Sequence, residues 1–329
     1  MPPGLWHMAQ RWLAIALVLL SSTWTVAVVA QPYPSKPIRL IVPYPPGGAT
    51  DIFGRILAAK LTETLSQQVV VEQRPGAGGV IGAEAAAKAA SDGYTMFVGQ
   101  ASNLAINQHL MGKLPYDPLR DFTPITLIAI SPNLLVVHPS LPVHAVKDLV
   151  ALAKAKPGSI NYASAGNGSP GHLAAEFFKK LAKIDIVHIP YKGAVPALTD
   201  VIAGQASLYF TSPISAQPYV KAGRLRQIAV TSAQRFALLP AVPTLAEAGY
   251  QVDITSWWGL LAPAGVAKDI IARLHADTVK ALNTVDMKER LAGQGASVMT
   301  NTPEQFAAYI KSEIANWARI VRESGARLE

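Results

Sequence analysis

The sequence has 329 residues, 50% of them hydrophobic, with 24 Gly, 25 Pro, no Cys and a net charge of +8. A chain of this length can bury one large core or two cores of about 150 residues each, and without Cys it can form no thiolate metal site, iron–sulfur cluster or disulfide scaffold. The basic residues are scattered singly and in pairs, which argues against nucleic-acid binding because a surface that follows phosphates needs clustered Lys and Arg.

The N-terminal segment has the pattern of a secretory signal peptide. Arg11 precedes the apolar run 12–20, and a small-residue motif ends at Ala30 just before a polar stretch that contains Pro. Polar residues interrupt the apolar span, so a membrane anchor is the weaker alternative, since crossing a bilayer takes about 20 apolar residues. We therefore expect export and cleavage after Ala30, with residues 1–30 as the signal peptide.

Strands and helices alternate along the first third of the remaining chain. An apolar run at 38–42 leads into a turn rich in Pro and Gly, and apolar residues then recur at helical spacing over 52–65. Further strands are predicted at 69–71 and 95–99, with an Ala-rich helix at 80–90 between them. This alternation indicates βαβ crossovers and a mainly parallel sheet.

The same alternation starts again further along the chain. The predicted strands are 134–137, 160–163, 186–189, 206–210 and 225–230, and the predicted helices are 170–181 and 194–203. A strand at 257–261 and three helices follow, and the capping sequence Thr302-Pro303-Glu304-Gln305 opens the last helix. We therefore expect an α/β protein of two lobes, with residues 31–132 plus 256–329 in lobe 1 and residues 133–255 in lobe 2.

The first candidate site is the glycine-rich turn after the first strand. It contains Gly47, Gly48 and Thr50 and leads directly into a helix. Small residues at a helix N-terminus leave backbone N–H groups free to bind an anion, and Thr50 adds a hydroxyl. The alternative is structural, with the glycines making a tight turn and Thr50 or Asp51 capping the helix.

The second candidate site is the turn before the helix predicted at 170–181. It holds a G-x-G-x-x-G pattern at Gly166, Gly168 and Gly171, which is typical of dinucleotide-binding proteins. The next strand carries no Asp or Glu where such a site needs one for the ribose. A second anion-binding helix terminus, with Ser164 and Ser169 as hydroxyl donors, fits the turn better.

Catalytic motifs are incomplete in this sequence. Ser169 lacks the G-x-S-x-G frame of a nucleophile elbow, because Asn167 stands at its first Gly position, and the His residues lack metal-ligand spacing. His172 could reach a ligand, although helix packing explains it equally well. We expect no metal and no cofactor, and an exported enzyme acting on a carboxylate or ester is the alternative function. The two donor-rich turns instead predict a cleft that clamps an acid between helix N-termini.

A series of short motifs runs in order along the whole chain after the signal segment. They are P-x-K-P-I-R-x-I-V-P-Y-x-P-G-G-x-x-D at 34–51, V-x-Q-R-P-G-A-G-G at 71–79, D-G-Y-T at 92–95, L-P-Y-D at 114–117, Y-x-S-x-G-x-G-S-x-x-H-L at 162–173, H-I-P-Y-K-G at 188–193, L-P-x-V-P-T at 239–244 and S-W-x-G-L at 256–260. Together they resemble the Bug-type, or tripartite tricarboxylate transporter, extracytoplasmic solute receptors.

The resemblance implies a fold, a function and a set of site residues. It implies a monomeric periplasmic binding protein (type II-like) that closes on a small organic carboxylate in the cleft between its lobes and presents it to the permease subunits of a tripartite tricarboxylate transporter. Carried over residue by residue, the ligand contacts are Tyr44, Gly47, Gly48, Thr50, Asp51, Ser102 and Asn103 in lobe 1, and Ser164, Gly166, Asn167, Gly168, Ser169 and Tyr191 in lobe 2.

One position departs from the family pattern. Similar receptors commonly have an Asp after the strand that ends at Phe210, where this chain has Thr211, which we add to the candidate site. A carboxylate there could pair with a ligand ammonium group. Its absence favours a mono- or dicarboxylate without an amino group, with an aromatic acid as one option. Trp257 and Trp258 could stack on an aromatic ligand, although packing in the core is the more ordinary role for them.

Overall fold

The computed structural model of the protein describes residues 33–326. The signal peptide predicted at residues 1–30 therefore lies outside the described residues. The strands are β1 (Ile38–Val42), β2 (Val69–Gln73), β3 (Thr95–Gln100), β4 (Phe122–Pro132), β5 (Leu134–Val137), β6 (Asn161–Ser164), β7 (Val187–Pro190), β8 (Leu208–Thr211), β9 (Arg226–Val230), β10 (Thr255–Pro263) and β11 (Ser297–Val298).

The helices connect these strands and end the described chain. They are α1 (Ala49–Leu65), α2 (Val80–Ala87), α3 (Asn107–Leu110), α4 (Val146–Ala155), α5 (Pro170–Ala182), α6 (Ala194–Ile202), α7 (Pro213–Lys221), α8 (Lys268–Leu282), α9 (Val285–Gly293) and α10 (Pro303–Ser324). A short 3₁₀-helix (Ala77–Gly79) precedes α2, and a π-helix (Ser102–Ile106) follows β3 directly. Within residues 33–326, no helix is both long enough and apolar enough to span a bilayer.

Two separate sheets carry the two lobes. Sheet 1 has the strand order β11-β4-β10-β3-β1-β2, and sheet 2 has the order β7-β6-β8-β5-β9. The chain passes from sheet 1 to sheet 2 at Asn133, between β4 and β5, and returns to sheet 1 at the start of β10. The prediction of a two-lobed α/β protein is confirmed. We call the part around sheet 1 lobe 1 and the part around sheet 2 lobe 2.

The expectation of mainly parallel sheets needs one correction. The strands joined by helical crossovers pair in parallel, as β1 does with β2 and β3 and as β6 does with β7 and β8. Strand β10 pairs antiparallel with β3 and β4, and β5 pairs antiparallel with β8 and β9. Strands β5 and β10 each enter their sheet directly from the other lobe. They begin on the side of the sheet where the parallel strands end, so they run in the opposite direction.

The C-terminal helix α10 packs mainly on lobe 1. Its side chains Phe306, Ile310 and Trp317 are almost fully buried, and the helix lies against β4 and the π-helix. The predicted capping box is present, because the Thr302 hydroxyl accepts from the Gln305 N–H at 3.2 Å while the Gln305 side chain accepts from the Thr302 N–H at 3.0 Å. This packing explains why the apolar stripe of the helix faces inward.

The longer elements that the sequence pattern does not predict are β4, α7 and α4, and the short ones are β11, α3, the 3₁₀-helix and the π-helix. Strand β4 contains Pro124 and ends at Pro132, and α7 contains Pro213 and Pro218. Proline lacks the N–H that a strand or helix interior normally uses, so such segments look like turns by sequence. The third, α4, has an ordinary amphipathic pattern.

Candidate functional site

A cavity of about 870 Å³, including its opening to solvent, lies between the two lobes. Lobe 1 lines it chiefly with Tyr44, Pro45, Pro46, Gly48, Ala49, Thr50, Gly78, Gln100, Ser102, Ser256 and Trp258. Lobe 2 contributes Ala165, Gly166, Asn167, Ser169, Pro170, Gly171, Gly193, Ala194, Val195, Pro196, Tyr209, Phe210, Thr211, Ser212 and Ser215, and Asn133 lies at the crossing between the lobes.

The lining carries no formal charge. Among the described residues, those that line the cavity include no Lys, Arg, His, Asp or Glu, and the polar ones are Ser, Thr, Asn, Gln, Tyr and Trp. An ion pair with a basic side chain of the lining is therefore not available to an anionic ligand. Charge on such a ligand has to be balanced by backbone N–H groups, hydroxyls, side-chain amides and helix dipoles.

Four α-helices of the described part of the chain begin at this cavity. Their N-cap residues are Gly48 for α1, Ser169 for α5, Gly193 for α6 and Ser212 for α7, and all four line the cavity. At α1, α6 and α7, no side chain of the described residues caps the helix in the usual way. The sequence pattern predicts three of these helices, α1, α5 and α6. It also held a signal for α7, since Ser followed by Pro is a common opening of a helix.

The turn before α1 is held from behind by Asp51. This side chain is only 3% exposed, and it accepts hydrogen bonds from the Gly47 N–H at 2.9 Å, the Gln73 amide at 2.7 Å and the Arg55 guanidinium at 2.9 Å. Gly47 and Asp51 were both predicted as ligand contacts. The structure places Asp51 behind the loop and Gly47 on a neighbouring surface pocket, so both residues fix the shape of the turn.

Tyr44 and Thr50, two of the predicted ligand contacts, line the cavity. The Thr50 hydroxyl donates to the Gln100 side chain at 3.0 Å and accepts from the Trp258 indole N–H at 2.9 Å. The Tyr44 hydroxyl donates to the Gly78 carbonyl at 3.0 Å. Burial raises the pKa of Tyr44 to about 12, so the phenol stays neutral and protonated at physiological pH.

The two tryptophans of β10 have different environments. Trp258 lines the cavity and packs edge-on against Phe53, with ring centroids 4.6 Å apart. Trp257 lies in the core instead and donates to the Glu313 carboxylate at 2.7 Å. Adjacent residues of a strand point to opposite faces, so only Trp258 can reach a ligand.

The π-helix after β3 contacts lobe 2. The Ser102 hydroxyl lines the cavity and donates to the Gly168 carbonyl of lobe 2 at 3.3 Å. Asn103 lies behind it, where its side-chain oxygen accepts from the Gln100 N–H at 3.0 Å and its carbonyl accepts from the Tyr116 hydroxyl at 2.7 Å. A π-helix often marks a functional site, and here it brings Ser102 across the cleft.

Two histidines hold the second glycine-rich turn. The Ser164 hydroxyl hydrogen-bonds to His188 at 2.7 Å and accepts from the Gly166 N–H at 3.1 Å, and the Gly168 N–H donates to His172 Nδ1 at 3.3 Å. The two imidazole rings stack 4.3 Å apart. Desolvation is the main cause that lowers the pKa of His172 to about 4 and that of His188 to about 3, so both rings are neutral near pH 7.

These contacts decide which predicted lobe 2 residues face the cavity. Gly166, Asn167, Ser169 and Thr211 line it, whereas Ser164 and Gly168 belong to the support behind the turn. Tyr191 also lies outside the lining, and its hydroxyl donates to Asp200 at 2.7 Å.

Lobe 1 and lobe 2 meet directly at their glycine-rich turns. A Cβ atom added at Gly47 would lie 3.1 Å from Val195 of lobe 2, and one added at Gly168 would lie 3.1 Å from Leu110 of lobe 1. Both glycines also have positive φ angles, +83° and +75°, which disfavour any other residue. The turns therefore depend on glycine for their shape and for the close approach of the lobes.

The Ser and His residues near the second turn are not arranged for nucleophilic catalysis. The Ser169 hydroxyl accepts from the backbone N–H of His172, whereas the His172 ring bonds to Gly168. Ser164 does contact an imidazole, but its side chain is fully buried and lies off the cavity. Between residues 33 and 326, no group of three or more His, Asp or Glu side chains is placed to hold a metal ion.

Several lining residues were not predicted from the sequence. Apart from Tyr209, which lies within β8, the polar ones are Gln100, Asn133, Ser212, Ser215 and Ser256. Each stands at or just beyond the end of a strand that borders the cleft, or in the first turn of a helix that begins there. That position is the usual location of ligand contacts in open α/β sheets, but it can be assigned only after the strand order is known.

The comparisons with known proteins agree with this architecture. Residues 53–326 match the TctC family, described as "Tripartite tricarboxylate transporter family receptor", and the chain belongs to that family. It is 39% identical to Protein BugT of Bordetella pertussis over 97% of this chain and 99% of that protein.

Solved structures of similar proteins include two with a named ligand. "R. palustris Rpa4515 with adipate" has a TM-score of 0.88 and 36% identity, and it covers 90% of this chain and 100% of that one. MatC from Rhodopseudomonas palustris with bound malate has a TM-score of 0.82 and 31% identity, and it covers 88% of this chain and 100% of that one. The predicted resemblance to the Bug-type receptors is thus confirmed.

Proposed function

We propose that this protein is an extracytoplasmic receptor that captures a small organic carboxylate between its lobes and delivers it to the permease of a tripartite tricarboxylate-type transporter. The observation that carries the proposal is the uncharged cavity at which four helices begin. Helix N-termini and hydroxyls suit a carboxylate, and water can bridge them to ligands of different shape. The adipate and malate named with two similar structures support the same ligand class.

Within this proposal, the predicted site residues divide into two groups. The residues that contact the ligand or its bridging waters are Tyr44, Gly48, Thr50, Ser102, Gly166, Asn167, Ser169 and Thr211, all of which line the cavity. The residues that position the two turns are Gly47, Asp51, Asn103, Ser164, Gly168 and Tyr191. The division rests on the hydrogen bonds that the second group makes away from the cavity.

The proposed ligand has no amino group. Thr211 lines the cavity, and the lining within residues 33–326 carries no carboxylate that could pair with an ammonium group. A buried ammonium without such a partner is costly. Aspartate and glutamate should therefore bind more weakly than acids of the same length without an amino group, and the reverse order would contradict this preference.

A thermal-shift screen of organic acids, run beside an assay for product, tests the proposed function. We expect at least one acid to raise the melting temperature without being consumed, because a ligand that binds only the folded state stabilises it. Consumption of an acid or ester would favour the alternative of an exported enzyme. Stabilisation by no acid at all would contradict the receptor.

A pair of glycine variants tests whether lobe closure creates the site. Gly168→Val places a side chain against Leu110 of lobe 1 and should abolish stabilisation by the acid. Gly223→Val is the matched control, because Gly223 has a similar φ of +70° and nothing within 4 Å of an added Cβ. Equal loss of binding in both variants would show that backbone strain alone was responsible.

The proposal also assigns the parts of the chain. We assign residues 31–132 plus 256–329 to lobe 1, residues 133–255 to lobe 2 and residues 1–30 to a signal peptide, and we expect the exported protein to be a monomer in the periplasm. The intact mass of the exported protein tests cleavage after Ala30. Light scattering coupled to size-exclusion chromatography tests the oligomeric state, and the mass of a dimer would contradict the expected monomer.

A further inference from the structure

The chain crosses between the two sheets at two places that lie side by side. The first crossing is at Asn133, between β4 and β5, and the second is at Ile254, directly before β10. The crossings are neighbours because Thr255 faces Pro132 where β10 pairs with β4. A side-chain bond also joins them, since the Ser256 hydroxyl donates to the Asn133 side-chain oxygen at 3.3 Å. Asn133 and Ser256 both line the cavity, so the two crossings form part of its wall.

Thr231 bonds to both crossings with every polar group that it has. It follows β9 in lobe 2 and is fully buried. At the first crossing, its hydroxyl accepts from the Asn133 N–H at 2.9 Å and its N–H donates to the Asn133 carbonyl at 2.9 Å. At the second crossing, its hydroxyl donates to the Ile254 carbonyl at 2.5 Å and its carbonyl accepts from the Ile254 N–H at 2.9 Å. One residue thus ties the two crossings together.

The Thr231 hydroxyl doubles each of these two links. A residue without a hydroxyl at this position could keep one backbone bond to each crossing. It would take away the hydrogen-bond partner that the Asn133 N–H and the Ile254 carbonyl have here. Both of these residues are almost fully buried, and a buried polar group that loses its partner is costly. The hydroxyl therefore strengthens the link at the crossings specifically.

The four bonds of Thr231 belong to an arrangement in which the lobes touch. Ser102 of lobe 1 donates to the Gly168 carbonyl of lobe 2, so the lobes are in contact at the glycine-rich turns. Within residues 33–326, the chain passes between the two sheets at the two crossings alone. A movement that separates the lobes must therefore be absorbed at the crossings, as in other proteins that close around a ligand by a hinge.

We infer that Thr231 is a positioning residue for ligand capture, whose hydroxyl makes the two crossings move as one hinge and so favours the closed arrangement of the lobes. This inference rests on the proposed function. Thr231 does not itself line the cavity, so it acts on the ligand through the way in which the lobes close. A ligand that needs closed lobes binds more weakly in proportion to the closed fraction that is lost.

The test measures lobe closure and ligand affinity. The chain has no Cys, so Ala59→Cys and Thr199→Cys supply the only two thiols for spin labels. Both positions are exposed, one on α1 of lobe 1 and the other on α6 of lobe 2, and both helices begin at the cavity. Electron paramagnetic resonance gives the distribution of distances between the labels. Calorimetry on the unlabelled protein gives the Kd of adipate, malate or the acid that stabilises the wild type most in the thermal-shift screen.

Three variants of Thr231 separate the hydroxyl from the rest of the side chain. Thr231→Val keeps the size of the side chain without the hydroxyl. We expect it to broaden the distance distribution measured without acid and to raise the Kd of the acid about tenfold. Thr231→Ala removes the same hydroxyl and replaces the Val variant if that one does not fold. Thr231→Ser keeps the hydroxyl and should restore both the distances and the Kd of the wild type.

Thr126→Val is the matched control. Thr126 is also fully buried, and its hydroxyl donates to the Asn301 carbonyl at 2.9 Å and accepts from the Asn301 N–H at 3.1 Å. Thr126 lies on β4, and Asn301 lies just before α10, so this link stays within lobe 1. The control should lower the melting temperature about as much as Thr231→Val does, but it should change neither the distances nor the Kd.

Two results would overturn the inference and leave the receptor function standing. One is a folded Thr231→Val or Thr231→Ala variant with the distances and the Kd of the wild type. The other is a Thr126→Val variant that changes both quantities as much as the Thr231 variants do. Failure of every acid in the screen would overturn the receptor function, whereas the distances measured without acid would still show whether Thr231 holds the hinge.

Discussion

The two glycine-rich turns have the same local plan but are held by different groups. Each follows a strand, precedes a helix and exposes backbone at a helix N-terminus. The first turn is organised by the carboxylate of Asp51, and the second by the neutral imidazoles of His172 and His188. One plan for anion binding can thus be supported by a buried charge in one lobe and by uncharged rings in the other. Because the supporting groups differ, we expect the two turns to respond differently to mutation and to pH.

The two turns differ most in how closely the helix after each turn packs against its sheet. A Cβ atom added at Gly171 in α5 would lie 1.9 Å from the Phe210 carbonyl oxygen, which is backbone and cannot move aside cheaply. Gly171→Ala should therefore lower the free energy of unfolding by about 3 kcal/mol or more, or prevent folding of lobe 2. Urea denaturation measures the change.

Gly54→Ala is the matched substitution in α1. Its added Cβ would meet the end of the Val42 side chain at 2.8 Å, which can shift, and alanine favours a helix. We expect a change within about 1 kcal/mol. Similar losses in both variants would show that the two helices approach their sheets equally closely.

We expect the next largest effect from substitution of Asp51, the charged residue that supports the first turn. Asp51→Ala leaves the Gly47 N–H and the Gln73 amide without their acceptor, and should cost about 2–3 kcal/mol of stability and raise the Kd of the acid about tenfold or more. Arg55→Ala removes only a partner whose side chain is 55% exposed, and should cost under about 1 kcal/mol. Denaturation measures the stability of each variant, and calorimetry measures its Kd. Equal losses in Asp51→Ala and Arg55→Ala would mean that the ion pair matters more than the hydrogen bonds to the turn.

The neutral support of the second turn predicts a dependence on pH. The lowered pKa values of His172 and His188 mean that the unfolded chain binds protons that the folded one does not. The free energy of unfolding should therefore fall as the pH drops from about 6.5 to about 4, by on the order of 1–3 kcal/mol after allowance for solvent screening.

A double variant isolates this histidine contribution. H172Q/H188Q removes both titrating groups, so its free energy of unfolding should depend less on pH than that of the wild type between pH 6.5 and 4. Denaturation at a series of pH values gives the slope. An unchanged slope would mean that other groups cause the acid sensitivity.

The smallest expected difference in stability between the two turns comes from the N-cap of the helix that follows each turn. The Ser169 hydroxyl caps α5 by accepting from the His172 N–H at 3.3 Å, so Ser169→Ala should lower stability by about 1 kcal/mol. Gly48 is the N-cap of α1, with extended φ and ψ of −81° and 166°, so Gly48→Ser should raise stability by a few tenths of a kcal/mol. Thermal denaturation without ligand measures both, and a destabilising Gly48→Ser would show that this turn cannot accept a cap.

The sequence was a good guide to both turns and a poor guide to the rest of the cavity. Gly48, Thr50, Gly166 and Ser169 could be found because the signals of a strand, a turn and a helix start are local. The contact between Ser102 and Gly168 joins residues 66 positions apart, and it depends on how the lobes meet. That Asn133 and Ser212 line the same cavity depends on the pairing of β5 with β8, which no local pattern specifies.

The sequence by itself determined the two-lobed α/β class, the capped C-terminal helix and the location of the glycine-rich turns, because periodicity, caps and glycine act over a few residues. The motifs also identified the family. Only the tertiary structure decided that Asp51 and Ser164 support the turns while Asn133, Ser212 and Ser215 line the cavity. Whether a polar side chain faces a ligand or a neighbour depends on burial and on partners distant in sequence, and those exist only once the chain has folded.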